Sequence, residues 1–476
     1  MPDSSFDFCI VGAGPSGLTA AYQLLKSGCS VVLIERQGRV GGLAKSYDYG
    51  GQIFDTGPKR FHTDDPIVLD FIQEITKGHI TKIGRSTKVY FLGNYFEWPL
   101  QSKDLLKMPL GVSLKCALDL LKERPITDKS SFHQYINSKY GETLYSVFFK
   151  PYTQKFLRWD TEDIHSDWAS TGINRTVIDK RIKANSLFDL FKALLLPAKV
   201  ETEFLYPTEG GFGGFYEQLL GLCRDYPGFR LILSDTIVRL SDDGKQFEAQ
   251  TGAGERLTFT DLIWTGNLNA LSGIVATQHT HVHYLNTIFY NLICRQQGVA
   301  SRQTAQWIYV SRGDSLISRL TCMKEFAPYT CGEGHYNIIA ELTDSQANPV
   351  YFRDPDRHID GILNELVKMR FLKHRKHVES VHVVPVEDTY PIYHRGYNKD
   401  FGSAAAGIKK FSKRIHLLGR CGAFWYNNSD HSIRFAIEMA GQLLGRQRRE
   451  FDYRAYFGGS YPAVGGPSPG NAGQGA

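Results

Sequence analysis

Paired cysteines are missing from this chain: its eight cysteines stand far apart and none forms a CxxC pair. That spacing speaks against a zinc site and a disulfide framework, and it reads as reduced, buried thiols. Long apolar runs are missing too. No uninterrupted stretch approaches the roughly 20 residues a membrane span needs. The polar start, MPDSS, leads straight into the first apolar segment, so a signal peptide is not expected and a cytoplasmic protein is. Charge of one sign is scarce. A net charge of +6 over 476 residues is too small and too scattered for a nucleic-acid partner, although it suits an anionic small molecule. No internal repeat is present. What remains, 42% hydrophobic and 22% charged, is the composition of a globular chain long enough for two or three domains.

The richest stretch lies near the start. Phe6–Val11 is an apolar run of strand length, leading into Gly12-Ala13-Gly14-Pro15-Ser16-Gly17. A helical apolar pattern follows (Leu18, Ala21, Leu24, Leu25), then a second buried strand, Ser30–Ile34, that ends on Glu35. In a dinucleotide-binding βαβ unit Gly12 permits the tight turn, Gly14 lets a pyrophosphate approach the backbone, and Gly17 lets helix and strand pack closely. The phosphates then sit on the helix N-terminus, where free N–H groups favour negative charge. Glu35, about 20 residues past the glycines, is expected to accept from the ribose hydroxyls.

Further along, Gln52–Thr56 reads as a short strand delivering Gly57-Pro58-Lys59-Arg60-Phe61-His62 at its carboxyl end, where ligands bind in doubly wound sheets. The same loop also reads as an N-cap for a helix over Ile67–Ile75. A hairpin around Gly93-Asn94 is expected between Lys88–Phe91 and Tyr95–Trp98. From about Ser102 to Leu196 the pattern is helical. Tyr206 to Gly214 reads as a glycine-rich loop able to lie against a flat ligand, and strands follow at Arg230–Leu233, Thr236–Leu240, Gln246–Gln250 and Leu257–Thr265. Alternating segments between Tyr284 and Pro391 predict an antiparallel sheet. A helix over Ile359–Lys373 would end in a basic cluster that complements its C-terminus. Ile415–Leu418 is a last buried strand, and a helix from Ser432 to Leu444 follows it.

Arg39-Val40-Gly41-Gly42-Leu43-Ala44, so soon after Glu35, resembles the turn of the FAD-containing amine oxidase, desaturase and sugar-nucleotide mutase superfamily. Other stretches narrow the likeness: Phe61-His62-Thr63-Asp64-Asp65, Val89-Tyr90-Phe91 leading to Trp98-Pro99-Leu100, and Pro151-Tyr152-Thr153-Gln154-Lys155. They continue with Tyr206-Pro207 and Gly210-Gly211, Trp264-Thr265-Gly266, Tyr390-Pro391, and Gly419-Arg420 through Tyr426 to Asp430-His431-Ser432. In this order the chain resembles UDP-galactopyranose mutase and its flavoprotein relatives, unevenly from about residue 6 to residue 446.

The resemblance implies an α/β fold: a Rossmann-like FAD-binding domain with a helical insertion and an antiparallel-sheet substrate domain. FAD-binding parts are expected at 1–100, 201–283 and 412–456, the insertion at 101–200, the substrate sheet at 284–411, and a disordered tail at 457–476. It implies FAD contacts from Gly12, Gly14, Ser16, Gly17, Glu35, Arg36, Gly42, Leu43, Ala44, Gly419, Arg420, Asp430, His431 and Ser432. It implies a pyranose–furanose mutase of a nucleoside-diphosphate sugar, in which N5 of reduced FAD attacks the anomeric carbon; NAD(P)H is a possible external reductant. Arg175 and Arg319 would hold the pyrophosphate, Tyr390 and Tyr426 its oxygens, and Tyr152 or Phe156 would stack on the base, with His62 facing the flavin. Lys59 stands where the family commonly has a histidine, Phe156 or Leu157 replaces a tryptophan, and Trp425 abuts Tyr426 without an intervening arginine. These departures bear on the substrate rather than on the flavin. The alternative is an FAD oxidoreductase of the amine oxidase or protoporphyrinogen oxidase type.

Overall fold

The computed structural model describes residues 5–98, 107–120, 122, 124–169, 203–275 and 281–445. Strand β1 (Ser5–Val11), helix α1 (Pro15–Leu25) and β2 (Val31–Glu35) open the chain. A short hairpin of β3 (Ser46–Asp48) and β4 (Ile53–Asp55), helix α2 (Pro66–Thr76), β5 (Ile80–Gly84) and the hairpin β6 (Thr87–Phe91) and β7 (Asn94–Glu97) follow. Helices α3 (Leu110–Leu120), α4 (Phe132–Tyr140) and α5 (Lys150–Leu157) make the described part of the helical insertion. Next come β8 (Glu203–Pro207), α6 (Gly211–Arg224), β9 (Phe229–Leu233), β10 (Ile237–Asp242), β11 (Phe247–Thr251), β12 (Arg256–Trp264) and α7 (Leu268–Val275). A second run of strands holds β13 (Tyr284–Arg295), β14 (Trp307–Val310), β15 (Arg319–Cys322), β16 (His335–Ser345) and, past helix α8 (Ile359–Lys368), β17 (Val378–Pro391). Helix α9 (Tyr397–Phe411), β18 (Ile415–Leu417), the one-turn α10 (Gly419–Gly422) and α11 (Ser429–Leu443) close the described chain.

These strands build two seven-stranded sheets. The first runs β10-β11-β12-β1-β2-β9, with β18 also on β12, and its parallel centre is β9, β2, β1, β12 and β18. Every residue of Val31–Glu35 is buried, as expected for a strand covered on both faces. One face packs on α1, α2, α6 and α11, the other on α4, α5, α7 and α9. The second sheet runs β17-β13-β16-β15-β14-β6-β7 and is antiparallel except where β14 meets β6. Residues alternate across it. Ile308, Leu320, Ala340 and Tyr290 face a core with α8, and their neighbours in the strands face the other way.

The α/β class with a Rossmann-like unit and an antiparallel sheet is therefore as the sequence implied, with particular corrections. The hairpin β6–β7 pairs with β14, so residues 87–97 belong to the second sheet rather than to the cofactor-binding part. Its turn is Leu92-Gly93, both at positive φ (49° and 80°), and Asn94 already lies in the strand. Gly211 to Gly214 form the first turn of α6 instead of a loop over a ligand, because their bare backbone packs against the β3–β4 hairpin: a Cβ on Gly213 would stand 2.4 Å from the Ser46 amide nitrogen. Helix α8 ends at Lys368, before most of the basic cluster. Helix α9, which the alternation of apolar residues did not announce, covers the first sheet with Tyr397, Phe401, Ala404 and Ile408. The expected tail at 457–476 lies outside the described residues, as does 170–202 of the insertion.

Asp55 ties these pieces together beneath the future site. Its carboxylate, 1% exposed, accepts from the Ser46 hydroxyl, from the Tyr206 hydroxyl at 2.7 Å and from the Phe212 amide at 3.0 Å, joining β3, β4, β8 and α6. Replacing it by alanine strands three buried donors, at about 1–3 kcal/mol for each one left unsatisfied. Asp55→Ala is expected to lower urea stability by about 3 kcal/mol or more, whereas a surface control such as the exposed Asp70→Ala changes it little.

Candidate functional site

Where β1 meets α1, the backbone is shaped by close approach. Gly12 adopts φ +100°, and a Cβ there would stand 2.2 Å from the Thr265 hydroxyl oxygen; one on Gly17 would stand 1.9 Å from the Gly12 carbonyl oxygen. Both are positions only glycine fills. Opposite them, the Gly41-Gly42 turn brings Gly42 against Gly14, with a Cβ on Gly42 only 2.9 Å from the Gly14 α-carbon. No side chain caps α1 and no acid lies in its first turn, so its N-terminal amide donors face a bare backbone cradle. Ser16 is buried in that first turn, below Gly419 of α10.

Glu35 closes the cradle. One carboxylate oxygen accepts from the Ala13 amide at 2.8 Å and the other from the Gln37 amide at 3.0 Å, and each keeps a lone pair for a second donor. Leu43 accepts through its carbonyl from the Thr56 hydroxyl at 2.6 Å, and the Ala44 amide donates to Gly41 at 2.8 Å, so both act through backbone that holds the turn. Arg36 leaves the cradle. It reaches Glu387 at 3.2 Å and Asp388 at 3.5 Å, clamping β2 to the end of β17.

The second sheet contributes a row of polar side chains across its inner face. Register places Tyr309, Arg319 and Glu341 side by side on β14, β15 and β16. The Arg319 guanidinium donates twice to Glu341, at 2.8 Å from Nε and 2.6 Å from Nη2, and Nη2 also donates to the Tyr390 hydroxyl at 3.3 Å. Glu341 is 1% exposed and Arg319 11%, and this buried carboxylate holds the guanidinium well above its ordinary pKa. Arg420, on α10, donates to the Thr389 carbonyl at 2.9 Å and to the Asn427 carbonyl, and lies 5.1 Å from the ring centres of both Tyr390 and Tyr426. Phe156, Tyr390, Tyr426 and Trp168 form a closed ring of aromatic contacts, with centroids 5.2–6.0 Å apart.

Several donors here have no acceptor. Lys59, at the end of β4, forms no hydrogen bond or ion pair among the described residues, and burial beside Arg420 and Arg319 pushes its ammonium down to about 7. Arg60 lies over the Trp307 ring at 4.4 Å, and its Nε and the Trp307 Nε1 are buried without partners. Asn427 uses its side-chain oxygen on the Ser432 hydroxyl at 3.2 Å and leaves its amide nitrogen unpaired. A site with surplus donors, where Glu341 is already paired with Arg319 and Asp55 is enclosed by three donors of its own, suits an acceptor-rich anionic ligand. The residues present therefore fit a dinucleotide diphosphate lying in the cradle.

The other expected site residues fall as follows. Arg175 lies outside the described residues. His62 is exposed and stands edge-on to Phe204 at 5.1 Å, while Phe61 beside it is core. Asp65 from the same stretch caps α2, accepting from the Ile67 amide at 2.9 Å. Phe156 is 5% exposed, so its ring is shared among Tyr152, Trp168 and Tyr390 rather than open to a base. Tyr152 stacks on Phe156 at 5.8 Å and meets Tyr309 edge-on at 5.9 Å. Helix α11 starts three residues before Ser432, and His431 is spent on its cap, accepting from the Asn428 amide at 3.2 Å. Asp430 and Ser432 are buried in that first turn. Lys155 is a strut: its buried ammonium donates to the carbonyls of Val310 and Ile317 at 2.5 and 2.8 Å, bracing the loop before Arg319. Tyr309, Glu341 and Asn427 are not singled out by the sequence, and Arg60 enters it only within the candidate loop Gly57–His62. The alternation Trp307-Ile308-Tyr309 was the one available signal, since it sets two large rings on one face.

Removing Arg319 leaves Glu341 buried and unpaired, which costs about 3–5 kcal/mol. Arg319→Ala is expected to lose that much stability in chemical denaturation, and Arg319→Ala combined with Glu341→Ala to recover part of it. An additive double mutant would show that the two side chains are not coupled.

Comparison with known proteins follows the geometry. A family model of NAD(P)-binding Rossmann-like domains matches residues 10–75. UDP-galactopyranose mutase of Mycoplasma pneumoniae (strain ATCC 29342 / M129 / Subtype 1) is 41% identical over 73 residues, which are 15% of this chain and only 18% of that protein. The crystal structure of a reduced UDP-galactopyranose mutase shares the fold with a TM-score of 0.81 at 20% identity, over 96% of this chain and 99% of that one. Cyclohexylamine oxidase from Brevibacterium oxydans IH-35A shares it with a TM-score of 0.65 at 15% identity, over 94% and 100%. Among the described residues no helix is long and apolar enough to cross a membrane. The chain resembles UDP-galactopyranose mutase and the related flavoproteins, in sequence over a short segment and in fold over nearly its whole length.

Proposed function

We propose that this protein is an FAD enzyme that interconverts the pyranose and furanose forms of a nucleoside-diphosphate sugar. The observation that carries the reading is the imbalance of the site: Lys59, Arg60, Arg319 and Arg420 converge with Tyr390 and Tyr426, while Glu341 is already bonded to Arg319 and Asp55 is enclosed by Ser46, Tyr206 and Phe212. A substrate amine enters as a cation and is disfavoured by such a field, whereas a diphosphate is drawn to it. The Gly12–Gly17 cradle, Glu35 and the Gly42–Ala44 turn would hold the FAD, with Gly419, Asp430 and Ser432 at its other side. When bound and reduced, FAD supplies a nucleophilic nitrogen for the anomeric carbon. Arg420, Lys59 and the tyrosine hydroxyls would hold the diphosphate in reach of that centre while it is detached, and a cationic site lowers the energy of the departing anion. Little proton-transfer machinery is then required.

A second reading keeps FAD but makes the reaction a net oxidation of an anionic substrate. It is favoured by one observation: the Arg319 fork is already occupied by Glu341, leaving less of it for a diphosphate.

The two readings separate in one anaerobic assay. With dithionite-reduced protein, UDP-galactopyranose is expected to yield an isomer of equal mass without reoxidising the flavin, and the oxidised protein to yield none. Reduction of the oxidised flavin by substrate under the same anaerobic conditions, with no isomer formed, would support the oxidase instead. Gly17→Val is expected to purify colourless, because its side chain cannot fit beside the Gly12 carbonyl.

A further inference from the structure

Lys59 occupies an unusual position even for this site. It follows Gly57, whose φ of +82° brings the loop so near the second sheet that a Cβ there would stand 2.8 Å from a Glu341 carboxylate oxygen and 3.4 Å from Arg319 Nη2. The lysine is thereby held at the junction of β4, β15, β16 and α10. The charged groups facing it are Arg319 from β15, Glu341 from β16, Arg420 from α10 and Asp55 from β4. Glu341 is committed to Arg319, and Asp55 is enclosed by Ser46, Tyr206 and Phe212. Tyr152, Tyr309, Tyr390 and Tyr426 line the same region, and burial keeps the Tyr152 and Tyr426 phenols neutral through the ordinary pH range. No group offers Lys59 a counter-charge of its own.

We infer that Lys59 is the proton-exchanging group of this site: its neutral amine takes one proton from solvent when negative charge enters between Arg319 and Arg420, and the ammonium returns that proton to solvent when the charge leaves. The inference rests on the reading of the site as one for anionic ligands. Its chemistry balances without any co-reactant, since the bound anion supplies the charge and water or buffer the proton. In the empty site burial penalises the ammonium and the two guanidiniums repel it further, which together bring its midpoint down to about 7. An anion beside it reverses the sign of the field. Lysine does here what arginine could not, since a guanidinium keeps its proton throughout.

The test uses the protein as purified, with inorganic pyrophosphate and UDP as separate probes. Side-chain amine resonances of isotopically labelled lysine are followed through a pH titration, and Lys59 is assigned by the signal missing in Lys59→Arg. The expected midpoint is about 7 without anion, rising by about one to three pH units with either probe. Above the resting midpoint, pyrophosphate affinity is expected to fall about tenfold per pH unit in the wild type, as one-proton linkage requires, and to stay flat in Lys59→Arg. A Lys59 midpoint in the ordinary lysine range, or one that neither anion moves, overturns the inference. If pyrophosphate moves the midpoint and UDP does not, the proton exchange stands and the nucleotide-sugar reading falls.

Discussion

The buried fork between Arg319 and Glu341 is the interaction on which the site depends. It lies across neighbouring strands of the second sheet, and the same guanidinium reaches the Tyr390 hydroxyl near the end of β17. A buried ion pair of this kind contributes little net stability, because desolvation offsets its attraction. What it supplies is position: with Glu341 in place, Arg319 has one geometry, and the Nη2 that it shares with Glu341 also meets Tyr390 and the backbone at Gly57. The loop carrying Lys59 can approach only because residue 57 has no side chain.

Two sheets of different origin meet at this point. The parallel sheet brings the glycine cradle and an uncapped helix N-terminus, both general devices for holding a diphosphate. The antiparallel sheet brings ordered cations and tyrosines on a face opposite its own core. Arg36 with Glu387 and Asp388, and Arg420 with Thr389, lash the end of β17 to the cofactor side. On the proposed reading these ties fix the distance between a bound flavin and the diphosphate of a substrate.

Much of the cradle was legible in the sequence, because it depends on neighbours in the chain. An apolar strand, three spaced glycines, a helical repeat and a terminal acid are local signals, and Gly12, Gly17 and Glu35 fall where that order implies. The substrate side depends on register between distant strands, which no local period encodes. Glu341 is an acid within a largely buried strand and becomes meaningful only when β16 is laid beside β15. In the loop after β4, the motif drew attention to His62, yet the chain turns Phe61 into the core and leaves His62 exposed, so the cations before it carry the charge. Lys59 is legible in the sequence as part of a candidate loop and as a departure from a family pattern, and its buried setting is not. Phe156 sits in an aromatic ring and His431 in a helix cap, settings made by neighbours in space that no local period encodes.

The most direct measurement is a crystal structure of the reduced protein soaked with UDP. The account predicts a dinucleotide along the Gly12–Gly17 turn and a second diphosphate bonded to Arg420 and to the Tyr390 or Tyr426 hydroxyl, with the Arg319–Glu341 fork intact. A nucleotide bound elsewhere, or a cradle holding a dinucleotide while the cation cluster stays empty at saturating UDP, would contradict it.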